Sequence, residues 1–241
     1  MRLHRNVFIN IFKDIHKVFS EYNIVYWLDA GSLLAYIREG DLFEYTSDFD
    51  SGSLYNSFVP HIDDIAEKIY NMGYEVHITK SKFTIIRGDA RMTVHLYGDR
   101  GNYYGKEVVY GKNRRKIGNF INYVILEGIT SPGKNYFHKN LQRSFTNFMR
   151  EIVRTFRIKK LFRPIILFTT ERGIFNYYPI RFPRYFYDDL LKINFHGEKI
   201  HIPKYSEKYL EYCYGKNWRI PDKNFPEDGF YIQVMESSQC I

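Results

Sequence analysis

The fold is decided by a stretch near the start of the chain, which reads YWLDAGSLLA at residues 26–35 and is followed by DFD at residues 48–50. Apolar residues up to Leu28 predict a short buried strand, and residues 33–38 predict a short helix that ends at Gly40. The Asp-Phe-Asp triplet predicts a second strand. The order strand, Gly-Ser turn, helix, strand indicates an α/β fold with its chemistry at the edge of a sheet.

The residue types in this stretch favour the binding of a phosphate and a metal. Gly31 allows the backbone to approach a phosphate closely, and the Ser32 hydroxyl with the amides of a helix N-terminus can bind it. Alternate residues of a strand point the same way, so Asp48 and Asp50 present two carboxylates to one side. Because Mg²⁺ prefers a few carboxylate oxygens together with substrate phosphates, the pattern predicts a nucleoside diphosphate or triphosphate held at a metal.

Two further segments extend the pattern. The tetrapeptide REGD at residues 38–41 separates the two motifs, and the tail reads FHGEKIHIP at residues 195–203 and YGKNWRIP at residues 214–221. Together with the Gly-Ser and Asp-x-Asp motifs, these segments resemble the LicD and fukutin group of the nucleotidyltransferase superfamily. The resemblance is strong at residues 26–50 and 195–221.

The resemblance implies a nucleotidyltransferase-like mixed sheet flanked by helices, with a helical and hairpin C-terminal part. Ser-Pro-Gly at residues 131–133 is the clearest boundary signal in the chain. We therefore expect a core over residues 1–130 and a family-specific part over residues 131–241 that packs on it.

The resemblance also implies an activity. Proteins of this group transfer phosphocholine, glycerol phosphate or ribitol phosphate from a CDP-activated donor to a glycan or lipid-linked sugar hydroxyl, and CMP leaves. Asp48 and Asp50 are carried over as catalytic metal ligands for Mg²⁺ or Mn²⁺, and Gly31 and Ser32 as the pyrophosphate-binding turn. Arg38 lies where a cation could meet the donor phosphates, although it also fits a surface helix. The alternatives are nucleotidyl transfer from an NTP and an inactive nucleotide-binding module.

The chain departs from the superfamily at the strand expected to carry a third carboxylate. Residues 92–97 read MTVHLY and contain no acid, so Thr93 or His95 takes that position, depending on the register. His95 could ligate the metal or act as general base towards the acceptor, or be structural. Asp29 either lines the site or caps the following helix.

Tyr214, Trp218 and Pro221 in the tail are interpreted as packing residues of the C-terminal part and not as substrate contacts. This interpretation as packing residues rests on their apolar and aromatic character. We expect them to stabilise the hairpin and the short helix over residues 206–214, which Gly215 should end.

Residues 134–163 hold nine Lys or Arg and one acid, with Phe, Ile and Val at helical spacing. Such a helix could lie peripherally on an anionic membrane, although packing on the core is favoured. Nucleic-acid binding is a weaker alternative, because no recognised nucleic-acid motif accompanies the basic residues.

Composition narrows the class of protein. The chain has 241 residues, 44% of them hydrophobic, and a net charge of +8 that favours anionic partners. Two cysteines cannot form a disulfide framework, and no segment is apolar enough to span a membrane, so we expect a cytoplasmic protein.

Periodicity predicts helices over residues 7–19 and 62–72, strands over 74–79, 82–87, 91–97 and 108–110, and a hairpin over 193–202.

Overall fold

A computed structural model describes residues 2–44, 46, 48–111, 132–134, 175–222, 225–226 and 229–240. Over these residues the chain has a mixed α/β fold, an open sheet flanked by helices. The helices are α1 (Arg2–Glu21), α2 (Ala30–Glu39), α3 (Tyr55–Phe58), α4 (Ile62–Asn71), α5 (Ser206–Tyr214) and α6 (Gly229–Ser237), with 3₁₀ turns at Val59–His61, Arg184–Phe186 and Ser238–Cys240. The strands are β1 (Tyr26–Leu28), β2 (Asp48–Leu54), β3 (Glu75–Ile78), β4 (Lys82–Arg87), β5 (Ala90–Asp99), β6 (Tyr103–Gly111), β7 (Phe175–Pro183), β8 (Leu190–Phe195) and β9 (Glu198–Pro203).

The sheet is mixed, and β1 and β2 lie at its centre. The strand order is β3-β4-β5-β2-β1-β9-β8, while β6 pairs with the end of β5 and with β7. Strand β1 runs antiparallel to β2 and parallel to β9, and β2 runs parallel to β5. The central strands therefore join the start of the chain to residues near its end.

Helix α1 confirms the amphipathic pattern predicted for residues 7–19. Its apolar residues recur at helical spacing and are buried on the sheet. The ring of Phe12 lies 5.5 Å from that of Phe49 on β2, and the ring of Phe19 packs edge-on against Phe58 at 5.3 Å. Helix α4 covers the neighbouring strands with Ile62, Ile65 and Ile69.

The predicted hairpins are confirmed. Strands β4 and β5 meet at the turn of Gly88 and Asp89, and β8 and β9 meet at His196 and Gly197. Both turn residues of the second hairpin have positive φ, at 50° and 91°, as a tight turn between twisted strands requires. Helix α5 ends at Gly215, as expected.

Two predicted bounds are wrong. Helix α2 begins at Ala30 and not near Leu33, so Gly31 and Ser32 lie in its first turn. Strand β2 does not end near Gly52 but continues to Leu54, because Gly52 pairs with Trp27 on β1 and with His95 on β5. Strand neighbours on both sides hold the glycine in the sheet.

Gly52 is required by the indole that covers it, which leads to a first prediction. A Cβ at this position would lie 2.5 Å from Nε1 of Trp27, a side chain that is 1% exposed. We expect Gly52→Ala to lower the free energy of unfolding by about 2 kcal/mol, because the core must shift to admit the methyl group. The measurement is urea unfolding followed by tryptophan fluorescence.

A matched control is Gly98→Ala on β5, where the nearest atom to the new Cβ lies at 3.5 Å, an ordinary contact. Equal stability losses in the two variants would contradict the argument from Trp27.

Several predictions fall on residues outside the described part of the chain. The boundary between residues 130 and 131 does so, and residues 135–163 of the basic stretch do too. Within the described part, β8 and β9 share one sheet with β1 and β2. Cys213 is free and buried. Among the helices described here, none has the length and apolar character of a membrane span.

Candidate functional site

The first turn of α2 is joined to β2 by backbone and side-chain hydrogen bonds. The amide of Gly31 lies close enough to the Asp50 carboxylate to lower its pKa. The amide of Asp50 donates in turn to Oγ of Ser32 at 2.7 Å. A Cβ on Gly31 would lie 3.2 Å from Oδ2 of Asp50, so the glycine permits this close approach.

These contacts give Ser32 a structural role. Its side chain is buried, and its oxygen accepts from the backbone of β2. The hydroxyl hydrogen is still available for donation. The structure thus brings Gly31, Ser32 and Asp50 together, while the binding of a phosphate by the two helix residues stays a prediction.

Asp48 lies on the same face of β2 as Asp50, while Phe49 between them is buried on the other face. Both carboxylate oxygens of Asp48 are taken by Arg91, with Nε at 2.7 Å from Oδ1 and Nη2 at 2.6 Å from Oδ2. The two aspartate side chains are 36% and 26% exposed. They are therefore reachable from solvent, although Arg91 neutralises Asp48.

The register of β2 and β5 decides where the predicted third position lies. Asp50 pairs with Thr93, while His95 pairs with Gly52. The buried His95 ring still reaches Asp50, with Nε2 at 3.5 Å from Oδ1. Thr93 has the matching backbone position, and His95 makes the side-chain contact.

His95 is held on both sides of its ring. Burial and the nearby Lys106 lower its pKa well below the usual 6.5, which favours the neutral imidazole. Nζ of Lys106 lies 2.5 Å from Nδ1 of His95. With the lysine as donor, Nδ1 would accept and Nε2–H would face Asp50. A chain of contacts thus runs from Lys106 through His95 to Asp50, and burial raises the pKa of Asp50.

Lys106 was not predicted from the sequence as a site residue. It lies on β6 with 5% of its surface exposed, 4.7 Å above the centre of the Tyr97 ring. Asp29, which is fully buried, accepts hydrogen bonds from Tyr97 at 2.6 Å and from Tyr209. One feature of the sequence could have indicated that Lys106 is buried. It lies two residues from the buried Tyr104, and alternate residues of a strand point to the same face.

The buried lysine predicts a pH-dependent stability. Burial lowers the pKa of Lys106 from 10.5 to about 7, against the opposing charge of Asp29. Between pH 7 and 10.5 the unfolded chain therefore binds a proton that the folded chain has released, and stability rises with pH. We expect the unfolding free energy of the wild type, relative to Lys106→Met, to rise by about 2 kcal/mol from pH 7 to 9.

The measurement is urea unfolding at pH 6, 7, 8 and 9. Lys192→Met on β8 is the control, because that lysine is exposed and its removal should leave the pH dependence unchanged. If the difference in unfolding free energy between the wild type and Lys106→Met stays constant from pH 7 to 9, the pKa of Lys106 is not lowered by burial.

Arg38 lies in the last turn of α2, apart from the contact between Gly31 and Asp50. It follows Gly31 by seven residues, roughly 10 Å along a helix axis. Its Nη2 is 3.4 Å from the carbonyl oxygen of Ile220, and its buried Nε has no hydrogen-bond partner among the described residues. No hydrogen bond or ion pair joins Arg38 to Asp50 in the described part of the chain, and the role of Arg38 towards donor phosphates stays a prediction.

A cavity of about 870 Å³ lies between α2 and the segment that follows α5. Tyr214, Trp218 and Pro221, which the sequence indicates as packing residues, all line it. Burial raises the pKa of Tyr214, and the charge of Asp50 contributes to the shift. The cavity is thus near the carboxylates. Its remaining described lining consists of Leu34, Arg38, Phe43, Asn217, Ile220, Asp222 and Phe225.

The two carboxylates are few ligands for a divalent cation. Among the described residues, no group of three or more His, Cys, Asp or Glu side chains could hold a metal ion. Asp48 and Asp50 alone offer hard oxygen donors on one partly exposed face. A Mg²⁺ or Mn²⁺ held by these two carboxylates would need substrate oxygens as further ligands and would compete with Arg91 for Asp48, and its binding stays a prediction.

No protein-family model matches the chain. An uncharacterized protein of Rickettsia typhi (strain ATCC VR-144 / Wilmington) is 23% identical over 139 residues, covering 52% of this chain and 44% of that protein. An uncharacterized protein of Rickettsia prowazekii (strain Madrid E) is 29% identical over 66 residues, covering 27% and 24%. The chain therefore spans less than half the length of the curated relatives it matches.

Two solved structures of the antibiotic-resistance factor ANT(2'')-Ia also match. Its solution structure has a TM-score of 0.33 and 17% identity, covering 41% of this chain and 51% of that one. Its crystal structure with adenylyl-2''-tobramycin has a TM-score of 0.31 and 18% identity, covering 40% and 53%. These matches do not include the LicD and fukutin group, so membership in that group stays a prediction.

Proposed function

We propose that this chain is a metal-dependent transferase that moves a phospho-substituent from a CDP-activated donor to a hydroxyl of a glycan or lipid-linked sugar. The observation that supports the proposal is the meeting of Asp50 with the first turn of α2, with Asp48 on the same face of β2. Carboxylates beside the positive end of a helix suit a metal-bound pyrophosphate. The substituent would be of the phosphocholine, glycerol phosphate or ribitol phosphate type.

The charges around the carboxylates support the binding of an anionic donor. Arg91 pairs with Asp48, and the cations of Lys82 and Lys106 are close enough to lower the pKa of Asp50, against its burial. Asp48 and Asp50 would hold Mg²⁺ or Mn²⁺, which would neutralise charge on the donor's pyrophosphate linkage and on the departing CMP. A cation held by Asp48 would compete with Arg91 for that carboxylate and would leave the guanidinium able to pair with a phosphate oxygen.

His95 has a second part in the proposal. One of its ring nitrogens contacts Nζ of Lys106 and the other contacts the Asp50 carboxylate. Neither nitrogen is free to take a proton from an acceptor hydroxyl in this arrangement. We therefore assign His95 a positioning role through Asp50, in place of the predicted direct role as ligand or general base.

The experiment is a screen for CMP release. CDP-choline, CDP-glycerol and CDP-ribitol are incubated with Mg²⁺ and candidate glycan acceptors, with NTPs as competing donors. The expected result is metal-dependent CMP release from one CDP conjugate, lost in Asp48→Ala and Asp50→Ala and kept in Asp64→Ala on the exposed face of α4. Pyrophosphate release from an NTP would instead support nucleotidyl transfer.

An inactive nucleotide-binding module is a second candidate, favoured by one observation. Strand β5 has no carboxylate beside Asp50, and Arg91 occupies both oxygens of Asp48. For such a module we expect CDP conjugates to raise the melting temperature without any CMP release. Thermal shift measured alongside the CMP assay separates this outcome from an active enzyme.

A further inference from the structure

The guanidinium of Arg38 lacks the partner that a buried donor requires. Its Nε is buried with no hydrogen-bond partner among the described residues, where its Nη2 reaches only the carbonyl of Ile220 at 3.4 Å. Burying such a donor unpaired is unfavourable. The side chain lines the cavity between α2 and the segment after α5, so an anion in the cavity would supply the missing acceptor.

The other walls of the cavity suit a ring. Phe43, Tyr214, Trp218 and Phe225 present aromatic surfaces, and Asn217 adds an amide that can bind hydroxyls. A volume of about 870 Å³ is within the range of small-molecule sites, which are mostly apolar with a few placed polar groups. A guanidinium binds a phosphate by paired hydrogen bonds.

An anion at Arg38 would be distinct from a phosphate at the carboxylates. Asp48, Asp50 and Gly31 do not line the cavity, and Arg38 follows Gly31 by roughly 10 Å along the helix. Tyr214 connects the two regions, because it lines the cavity and is influenced by the charge of Asp50. The cavity is therefore a neighbour of the candidate site.

We propose that this cavity binds a sugar phosphate, with the phosphate on Arg38 and the sugar against the aromatic walls. The binding itself does not depend on a metal. Its use as the acceptor subsite of a transfer reaction rests on the proposed function, and would place a negatively charged sugar beside the donor.

The test is calorimetric titration of the full chain with glucose 1-phosphate, glucose and CMP in the presence of EDTA. Trp218 supplies a second readout, since the other of the two tryptophans, Trp27, is buried in the core. We expect glucose 1-phosphate to change the Trp218 fluorescence and to bind at least tenfold more tightly than glucose. If CMP binds more tightly than glucose 1-phosphate, the sugar phosphate that this cavity prefers is a nucleotide.

The variants are Arg38→Gln, which should weaken phosphate binding at least tenfold, and Arg38→Lys, which should restore part of it. Arg219→Gln is the matched control, because Arg219 lies on Trp218 at 4.3 Å but pairs with Glu207 outside the cavity. Circular dichroism verifies that each variant is folded.

Equal affinity in the wild type and Arg38→Gln, or no binding of either phosphate, would overturn the proposal. Binding that Asp50→Asn abolishes would also overturn it, since the ligand would then occupy the carboxylate site. Arg38-dependent binding without any CMP release in the donor screen would keep this site and reject the proposed transfer.

Discussion

Replacing Asp29 by alanine is expected to lower the free energy of unfolding by about 3–5 kcal/mol. The carboxylate is fully buried and accepts hydrogen bonds from the hydroxyls of Tyr97 and Tyr209. Its charge also favours the protonated form of the buried Lys106. Alanine would leave two buried hydroxyls without their acceptor and the lysine without this opposing charge. Urea unfolding at pH 7 measures the loss.

The control is Asp189→Ala, which removes an exposed ion pair with Lys204 at 2.6 Å. We expect a change below about 1 kcal/mol there, because solvent screens the pair. Asp29→Asn keeps an acceptor for one tyrosine, so its loss of unfolding free energy should lie between those of Asp29→Ala and Asp189→Ala. If Asp29→Ala unfolds within 1 kcal/mol of the wild type, the buried network does not stabilise the fold in the way proposed.

Asp50→Asn is expected to reduce CMP release by a factor of about 1,000 or more, because the carboxylate would hold the metal ion that stabilises charge on the departing CMP. The same change should leave the free energy of unfolding unchanged or raise it. Burial raises the pKa of Asp50, so the ionised carboxylate is unfavourable in the folded state at neutral pH, and a neutral amide removes that penalty.

Both quantities are measured on one protein sample, by the CMP assay and by urea unfolding. Asp64→Asn is the isosteric control on the exposed face of α4, and neither quantity should change. A large loss of stability in Asp50→Asn would mark the residue as structural. Full activity in a stable Asp50→Asn would remove it from the site.

The local elements were predictable from the sequence, because each has its own periodic signal. The apolar stripe of residues 7–19, the alternation before and after Gly88, and the turn at Gly197 all recur in the structure. The placement of Asp48 and Asp50 on one face of a strand follows from the same alternation. The start of α2 was missed, because Ala30 has a positive φ of 41° that no residue preference indicates.

The partners of the site residues were not predictable in the same way. Lys106 reaches His95 only because β6 extends the end of β5, and Tyr209 reaches Asp29 across 180 positions of sequence. Register decides between Thr93 and His95, and the pairing of β2 with β5 is not encoded in either segment alone. Spacing along the chain carries no information about such contacts.

The position of β1 between β2 and β9 has a consequence for synthesis. Its parallel partner and the tyrosine that binds Asp29 are translated long after β1 itself, since Tyr209 follows Asp29 by 180 residues. At ribosomal rates that interval is roughly 10–40 s, during which one edge of β1 has no strand to pair with. High contact order of this kind slows folding. We therefore expect the nascent chain to need protection of that edge until residues 198–209 have left the ribosome.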